Sequence, residues 1–426
     1  MENNNKHVEA NALTPIPVEE RQGWISLALV QAGICVCASS FLEGALLAEA
    51  MPLGEAILAG TLGNLIVVVL MTIIGFQGSD LGIASCTLSE SSFGKKGARY
   101  LVSVVFAINL IGWFGITNEI CGDAFTNFMS ETFGIQIPLI VSNILWGLIM
   151  LITAVYGMRA MEKLNAVSIP FLLIVMAVGT YLAIRQYGFD AATAEVERSM
   201  SFMAGVSLAF DFYAVGVVTA ADVARFQKNR VETAKSTVLG VLPVAVITLS
   251  LGAVLTKISG EYDISLVLIQ VGLPIIGILS IILSTWTTNS SNIYSGGLDV
   301  VMAFNLPDNR RREVTVVAGI IGTLLGAFGV LDHIESFLSF LAFLVCPVGG
   351  AMMADYWLVG KGKAENWHSV DGVNWAGIIS WAVGAVLAYL SGYAYTGILF
   401  SLVAYYIAEK FIPSKSREVN RNEKVV

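Results

Sequence analysis

Charge is scarce in this chain. Of 426 residues only 13% are Asp, Glu, Lys or Arg, whereas 56% are hydrophobic and the mean hydropathy is +0.74. A soluble domain carries about a quarter charged residues, so a water-facing surface around the whole chain is excluded, and the sequence reads as a polytopic protein of a lipid bilayer. Histidine is rarer still. His7, His333 and His368 all fall in tails or loops, which leaves a histidine-based metal centre without ligands. The five cysteines, Cys35, Cys37, Cys86, Cys121 and Cys346, are scattered and give neither a zinc spacing nor a disulfide framework. No nucleophile elbow, metal-binding helix or paired catalytic motif occurs, so no enzyme is expected; an intramembrane hydrolase using acids such as Asp211 and Glu119 is the remote alternative. The net charge of -8 sits mostly in loops and tails and offers nucleic acid no footprint. The first 23 residues are polar, with Pro15, Pro17, Glu19 and Glu20, and lack the charged-then-apolar pattern of a cleaved signal.

Long apolar runs, by contrast, are abundant. Twelve are found, at about 24–47, 53–76, 99–127, 137–157, 164–186, 200–224, 236–258, 265–303, 314–331, 334–358, 374–391 and 393–410, each of the order that a membrane helix needs. Pro52, Pro138 and Pro274 stand near starts of spans and Pro413 follows the last, whereas Pro170, Pro243 and Pro347 are interior and predict kinks. The third and eighth runs are long enough to predict tilt. With twelve spans, all Lys and Arg except Arg185, Arg198 and Lys257 fall in the N-terminus, the even-numbered loops and the C-terminus. Both termini are therefore expected on the cytoplasmic side of the inner membrane.

Two spans have interrupted centres. Gly33-Ile34-Cys35-Val36-Cys37-Ala38-Ser39-Ser40 brings small and weakly polar residues to the middle of the first, and Phe210-Asp211-Phe212-Tyr213-Ala214-Val215-Gly216 does so in the sixth. Interruptions five spans apart are the pattern of inverted-repeat secondary transporters, whose unwound backbone lends carbonyls to ligands. The expected organisation is a cytoplasmic tail at 1–23, a first repeat at 24–186, a second at 200–358, two further helices at 374–410 and a tail at 411–426.

The eighth run carries a polar stripe. On a helix, Ser284, Thr287, Thr288, Ser291, Asn292 and Ser295 share one broad face. Such hydroxyls either bond back to their own helix carbonyls or form a cation and substrate site, since hard cations want several neutral oxygens at close range. In the third span, Trp113 between Gly112 and Gly115 is either packing or an indole face for a flat ligand. Tyr213, with Phe212, is expected to give the opposite wall, Ser39 lies at the first interruption, and Asn289 carries an amide for a planar hydrogen-bonding solute. Intramembrane acids are functional candidates by default. Asp123, Asp222, Asp299 and Asp355 read as interfacial or capping groups; Glu43, Glu119 and Asp211 are left to bind an amine, relay a proton or stay protonated.

These residues resemble the cytosine-permease branch of the nucleobase:cation symporter family. The marks are Gly33, Gly82 through Ser92-Phe93-Gly94, Gly112-Trp113-Phe114-Gly115, Thr219-Ala220-Ala221-Asp222 to Arg225-Phe226, Trp286-Thr287-Thr288-Asn289, Pro347-Val348-Gly349-Gly350 with Asp355-Tyr356, and Val373-Asn374-Trp375. The resemblance implies an all-α, leucine-transporter-like fold of two inverted five-helix repeats plus two helices, alternating access, and coupling to sodium or to protons. It implies a sodium site at the carbonyls of Gly33, Val36 and Ser284 and the hydroxyls of Thr287 and Thr288. A nucleobase would stack on Trp113 and Tyr213 and be read by Asn289, in a chain expected to act as a monomer. Leu110, Ser284, Phe212 and Val215 depart from the residues of cytosine permeases, as do the acids at Glu43, Glu119 and Asp211. Such changes shift specificity strongly, so a thiamine-precursor pyrimidine, a purine or a small cationic amine competes with cytosine as substrate.

Overall fold

A computed structural model describes residues 13–193, 196–261, 264–329 and 334–412. Among them no β-strand occurs. The helices are α1 (Trp24–Cys35), α2 (Ala38–Ala50), α3 (Leu53–Leu81), α4 (Ser85–Gly97), α5 (Ser103–Phe133), α6 (Leu139–Tyr156), α7 (Met158–Tyr187), α8 (Phe202–Phe212), α9 (Ala214–Val218), α10 (Ala220–Ala224), α11 (Arg230–Ser259), α12 (Ile264–Gln270), α13 (Pro274–Ala303), α14 (Arg311–Ala327), α15 (Ile334–Met353), α16 (Trp375–Ser391) and α17 (Ala394–Phe411). Among the described residues six helical segments are long and apolar enough to cross a membrane, and the bent pair α1 and α2 makes a seventh.

Both predicted interruptions are present. The first span turns by 51° between α1 and α2, where Val36 leaves helical geometry at φ -90°, ψ 74°. In the sixth, Tyr213 (φ -116°, ψ 9°) separates α8 from α9, and Thr219 separates α9 from α10. Pro52 and Pro138 precede α3 and α6, and Pro274 opens α13, as residues without an amide proton do at helix starts. Pro170, Pro243 and Pro347 lie inside continuous helices; Pro413 lies outside the described residues.

The eighth apolar run is not one tilted span. It divides into α12 and α13 at Val271-Gly272-Leu273, with Gly272 at φ +87°, and its length comes from two helices. A second helix not expected, α4, lies between the second and third spans. Asp222 accepts a hydrogen bond from the Ser85 amide at 2.8 Å where α4 begins, satisfying a donor that the helix leaves open. Each half thus carries an extra short helix between its second and third spans.

Two groups of helices flank the cavity described below. α5, α6, α13 and α14 pack on one another, whereas α1, α2 and α3 pack against α8 and α11. The second group meets at backbone distance. A Cβ on Gly44 of α2 would stand 1.8 Å from the Leu249 carbonyl oxygen of α11, one on Gly252 of α11 would stand 2.0 Å from that of Phe41, and one on Gly240 would stand 2.6 Å from that of Ala28 in α1. Membrane helices approach this closely only over small residues.

Candidate substrate and cation site

The break in the first span brings carbonyls to the stripe on α13. Thr287 donates from Oγ1 to the Gly33 carbonyl at 3.1 Å and to that of Ser284 at 2.8 Å. Thr288 does the same at 3.0 and 3.1 Å. Four oxygens, two carbonyl and two hydroxyl, therefore meet where α1 ends. The hydroxyls bond back along their own helix, as one reading of the stripe expects, and also across to α1. Val36 lies at the break, and among the described residues no hydrogen bond ties it to Thr287 or Thr288.

Asn165 of α7 stands beside this set, and the sequence reading did not single it out. Its Nδ2 donates to the Met161 carbonyl at 2.7 Å, but its buried Oδ1 has no hydrogen-bond partner. A Cβ at position 33 would lie 2.0 Å from that Oδ1 and 3.3 Å from the Thr287 Cβ. Glycine at 33 is what lets the amide oxygen approach.

Next to these oxygens is a cavity of about 70 Å³. On a scale where one water needs about 10–15 Å³ it holds several waters. Its lining draws on both helix groups, with Gln31, Ser39 and Ser40 from the first span, Trp113 from α5, and Thr288 and Asn292 from α13 among the contributors. Trp113 and Phe212 meet with ring centroids 6.4 Å apart, tilted by 48°. They touch each other, which leaves no room for a flat ring between the two. Tyr213 also lines the cavity, but its hydroxyl is engaged with Ser40 Oγ at 2.7 Å. Ser39 lies 3.0 Å from Cys37 Sγ.

Other expected site residues point elsewhere. Asn289, expected to read a ligand edge, is fully buried and turned into α5 and α6. Its Oδ1 accepts from Thr117, and its Nδ2 donates to the Phe114 carbonyl at 3.3 Å and lies 3.5 Å from Met150 Sδ. Because Thr117 also donates to the Trp113 carbonyl at 2.7 Å, Asn289 braces the helix that carries Trp113. Glu43 is fully buried beside α3 and accepts from Asn64 Nδ2 at 2.9 Å. Glu119 lies where α5 packs on α14, its amide nitrogen 3.4 Å from a Cβ built at Gly326. Asp211 lies near Cys346 and Tyr395, on the side of α15 and α17. None of the three acids lines the cavity.

A family model described as permease for cytosine/purines, uracil, thiamine, allantoin matches residues 15–407. The chain belongs to this nucleobase:cation symporter family. It is a transporter of the membrane and not an enzyme. The cytosine permease of Escherichia coli strain K12 is 29% identical over 383 residues, covering 87% of this chain and 86% of that one. The hydantoin permease of Microbacterium maritypicum is 22% identical over 450 residues, covering 95% and 90%. Among solved structures, the symporter-family transporter Mhp1 in a closed conformation with bromovinylhydantoin bound superposes with a TM-score of 0.83, at 20% identity and 99% of both chains. A Na+-coupled sialic acid symporter in a substrate-bound outward-open state superposes at 0.69, with 15% identity and 96% and 93% coverage. These likenesses establish the leucine-transporter-like fold for this member of the family.

Proposed function

We propose that this chain imports a neutral, planar nitrogen heterocycle, driven by a sodium gradient, across the inner membrane. The chain crosses the bilayer twelve times, with α13 as the eighth span, both termini are cytoplasmic, and the monomer is the working unit. The observation that carries the reading is the meeting of the Thr287 and Thr288 hydroxyls with the Gly33 and Ser284 carbonyls at the break in the first span, beside a cavity walled by Trp113 and Phe212. The set is made of neutral oxygens, as a hard monovalent cation prefers, and the unpartnered Asn165 Oδ1 is a further buried oxygen that a cation would satisfy. Sodium would be held by these oxygens and the Val36 carbonyl, and it would tie α13 to α1. The relatives, which include cytosine, hydantoin, purine-uracil and allantoin permeases, support a heterocycle. A cationic amine is disfavoured because Glu43, Glu119 and Asp211 lie away from the cavity, and proton coupling through them is likewise the less supported alternative.

Thermal melting of the purified protein tests this, with cytosine, uracil, hydantoin, hypoxanthine, a hydroxymethylpyrimidine and benzylamine, each in sodium and in choline. A ligand that binds only the folded state raises the midpoint by mass action. Stabilisation by a neutral ring that needs sodium is the expected result; stabilisation by benzylamine alone, indifferent to sodium, would overturn it.

A further inference from the structure

We propose that Gln31 and Asn292 are the side chains that read the polar edge of the substrate, on the Arg225 side of the Gly33 contact. This rests on the reading of the cavity as the site of a planar heterocycle. Among the described residues the lining includes no Asp, Glu, Lys, Arg or His. A charged ligand would sit there without a counter-ion, which a low-dielectric site penalises heavily.

Most polar groups of the lining are already committed. Tyr213 and Ser40 hold each other, Ser39 lies against Cys37, Thr219 donates to the Val215 carbonyl at 2.9 Å, and Thr288 donates to Gly33 and Ser284. Two amides are not. Among the described residues, Gln31 is 3% exposed and its Oε1 has no partner; Asn292 is 8% exposed and its side chain enters no hydrogen bond.

The helix directions place these amides on the same side of the Gly33 contact. Gln22, just before α1, is bonded to Phe226, and the neighbouring Arg225 donates to the Tyr294 hydroxyl of α13 at 2.7 Å. The start of α1 thus lies beside the later part of α13, while Gly33 meets Thr287 and Thr288. The helices are antiparallel. At a rise of about 1.5 Å per residue, Gln31 and Asn292 sit about 3 and 6 Å from the Gly33 contact along the axis, in the same direction. Each amide offers a carbonyl acceptor and two N–H donors. Lining one cavity within about 3 Å of each other in depth, they fit the adjacent donor and acceptor of a lactam or amidine edge in an uncharged ring. An N-methylated ring leaves an amide unsatisfied.

The test measures ligand-induced melting shifts of the full-length protein in sodium. Uracil, cytosine, hydantoin and hypoxanthine are each compared with a ring-N-methylated counterpart, for the wild type, Gln31→Met and Asn292→Leu. Loss of one buried hydrogen-bonding partner should weaken binding of the preferred parent ring by roughly 10- to 100-fold, and the preference over its methylated counterpart should shrink in both variants. If the parent ring stabilises the wild type in sodium and both variants keep its affinity and its preference, this inference falls while the transport reading stands. If none of the four rings stabilises the wild type, the reading of the cavity falls and the inference with it. Should either variant elute aggregated from gel filtration, Gln31→Glu and Asn292→Asp, which keep size and remove N–H donors, replace it under the same criteria.

Discussion

Thr288→Ala removes one of the four oxygens that converge at the end of α1. In the described state these oxygens stand 2.8–3.1 Å apart along the hydroxyl-to-carbonyl contacts. A hard cation with oxygens at about 2.3–2.6 Å spaces neighbouring ligands of an octahedral shell about 3.2–3.7 Å apart. The set therefore needs to open by only a few tenths of an ångström and to turn its hydroxyl protons outward. Contacts of a hydrogen-bonding group to a full charge contribute about 1.5–3 kcal/mol, so the variant should bind sodium roughly 10- to 150-fold more weakly. Coupling is reciprocal; at a sodium concentration that no longer fills the weakened site, sodium lends less to substrate affinity than it does in the wild type. The assay is the melting midpoint titrated with sodium at constant ionic strength, choline making up the difference, with and without the best heterocycle. Thr288→Ser, which keeps the hydroxyl, is the control. A Thr288→Ala titration that overlays the wild type would remove sodium from this site.

Three further outcomes are expected. Trp113→Ala should weaken heterocycle binding by about 5- to 150-fold, the range of a lost base–aromatic stack, while the sodium-dependent part of the melting curve persists; unchanged affinity would take Trp113 out of the site. Gly44→Ala forces a Cβ to 1.8 Å from the Leu249 carbonyl oxygen and should destabilise by about 1–3 kcal/mol, whereas Gly54→Ala, with nothing within 4 Å, should melt like the wild type. Equal midpoints for the two would contradict the close packing of α2 on α11. Asn289→Ala removes the brace from α13 to Thr117 and the Phe114 carbonyl, while Thr117 keeps its bond to the Trp113 carbonyl, so it should lower the midpoint in the absence of ligand by an amount set by about 0.5–1.5 kcal/mol and leave the rank order of ligands intact. A changed order would return Asn289 to the role of reader.

The broken spans were legible because small and weakly polar residues at 33–40 and a Gly- and Tyr-bearing stretch at 210–216 interrupt apolar runs that otherwise continue. The stripe on α13 was legible through its helical period. What periodicity does not convey is which neighbour a residue meets. Asn289 is about 100° around the helix from Thr288, enough to turn it from the cavity into α5. Hydropathy likewise passed over the break before α13, although Gly272-Leu273-Pro274 spells a left-handed turn followed by a helix start. α4 escaped because its residues are too polar to register as an apolar run. Gln31 and Asn165 had a signal, being lone amides in apolar spans, but only packing shows that an oxygen on each lacks a partner.

The glycine contacts along α11 bear on how such a molecule can move. Because Gly240 lies on Ala28 below the break and Gly252 on Phe41 above it, one unbroken rod supports both pieces of the first span like a splint across a fracture. The fracture is then fixed in angle, and its use is to bare carbonyls. Sliding is left to the seam between the α1–α11 group and the α5–α13 group, where the Gly33 oxygen meets two threonines. On the proposed reading, a cation held there would act as a bolt across the seam, and withdrawing it would free one half to swing against the other.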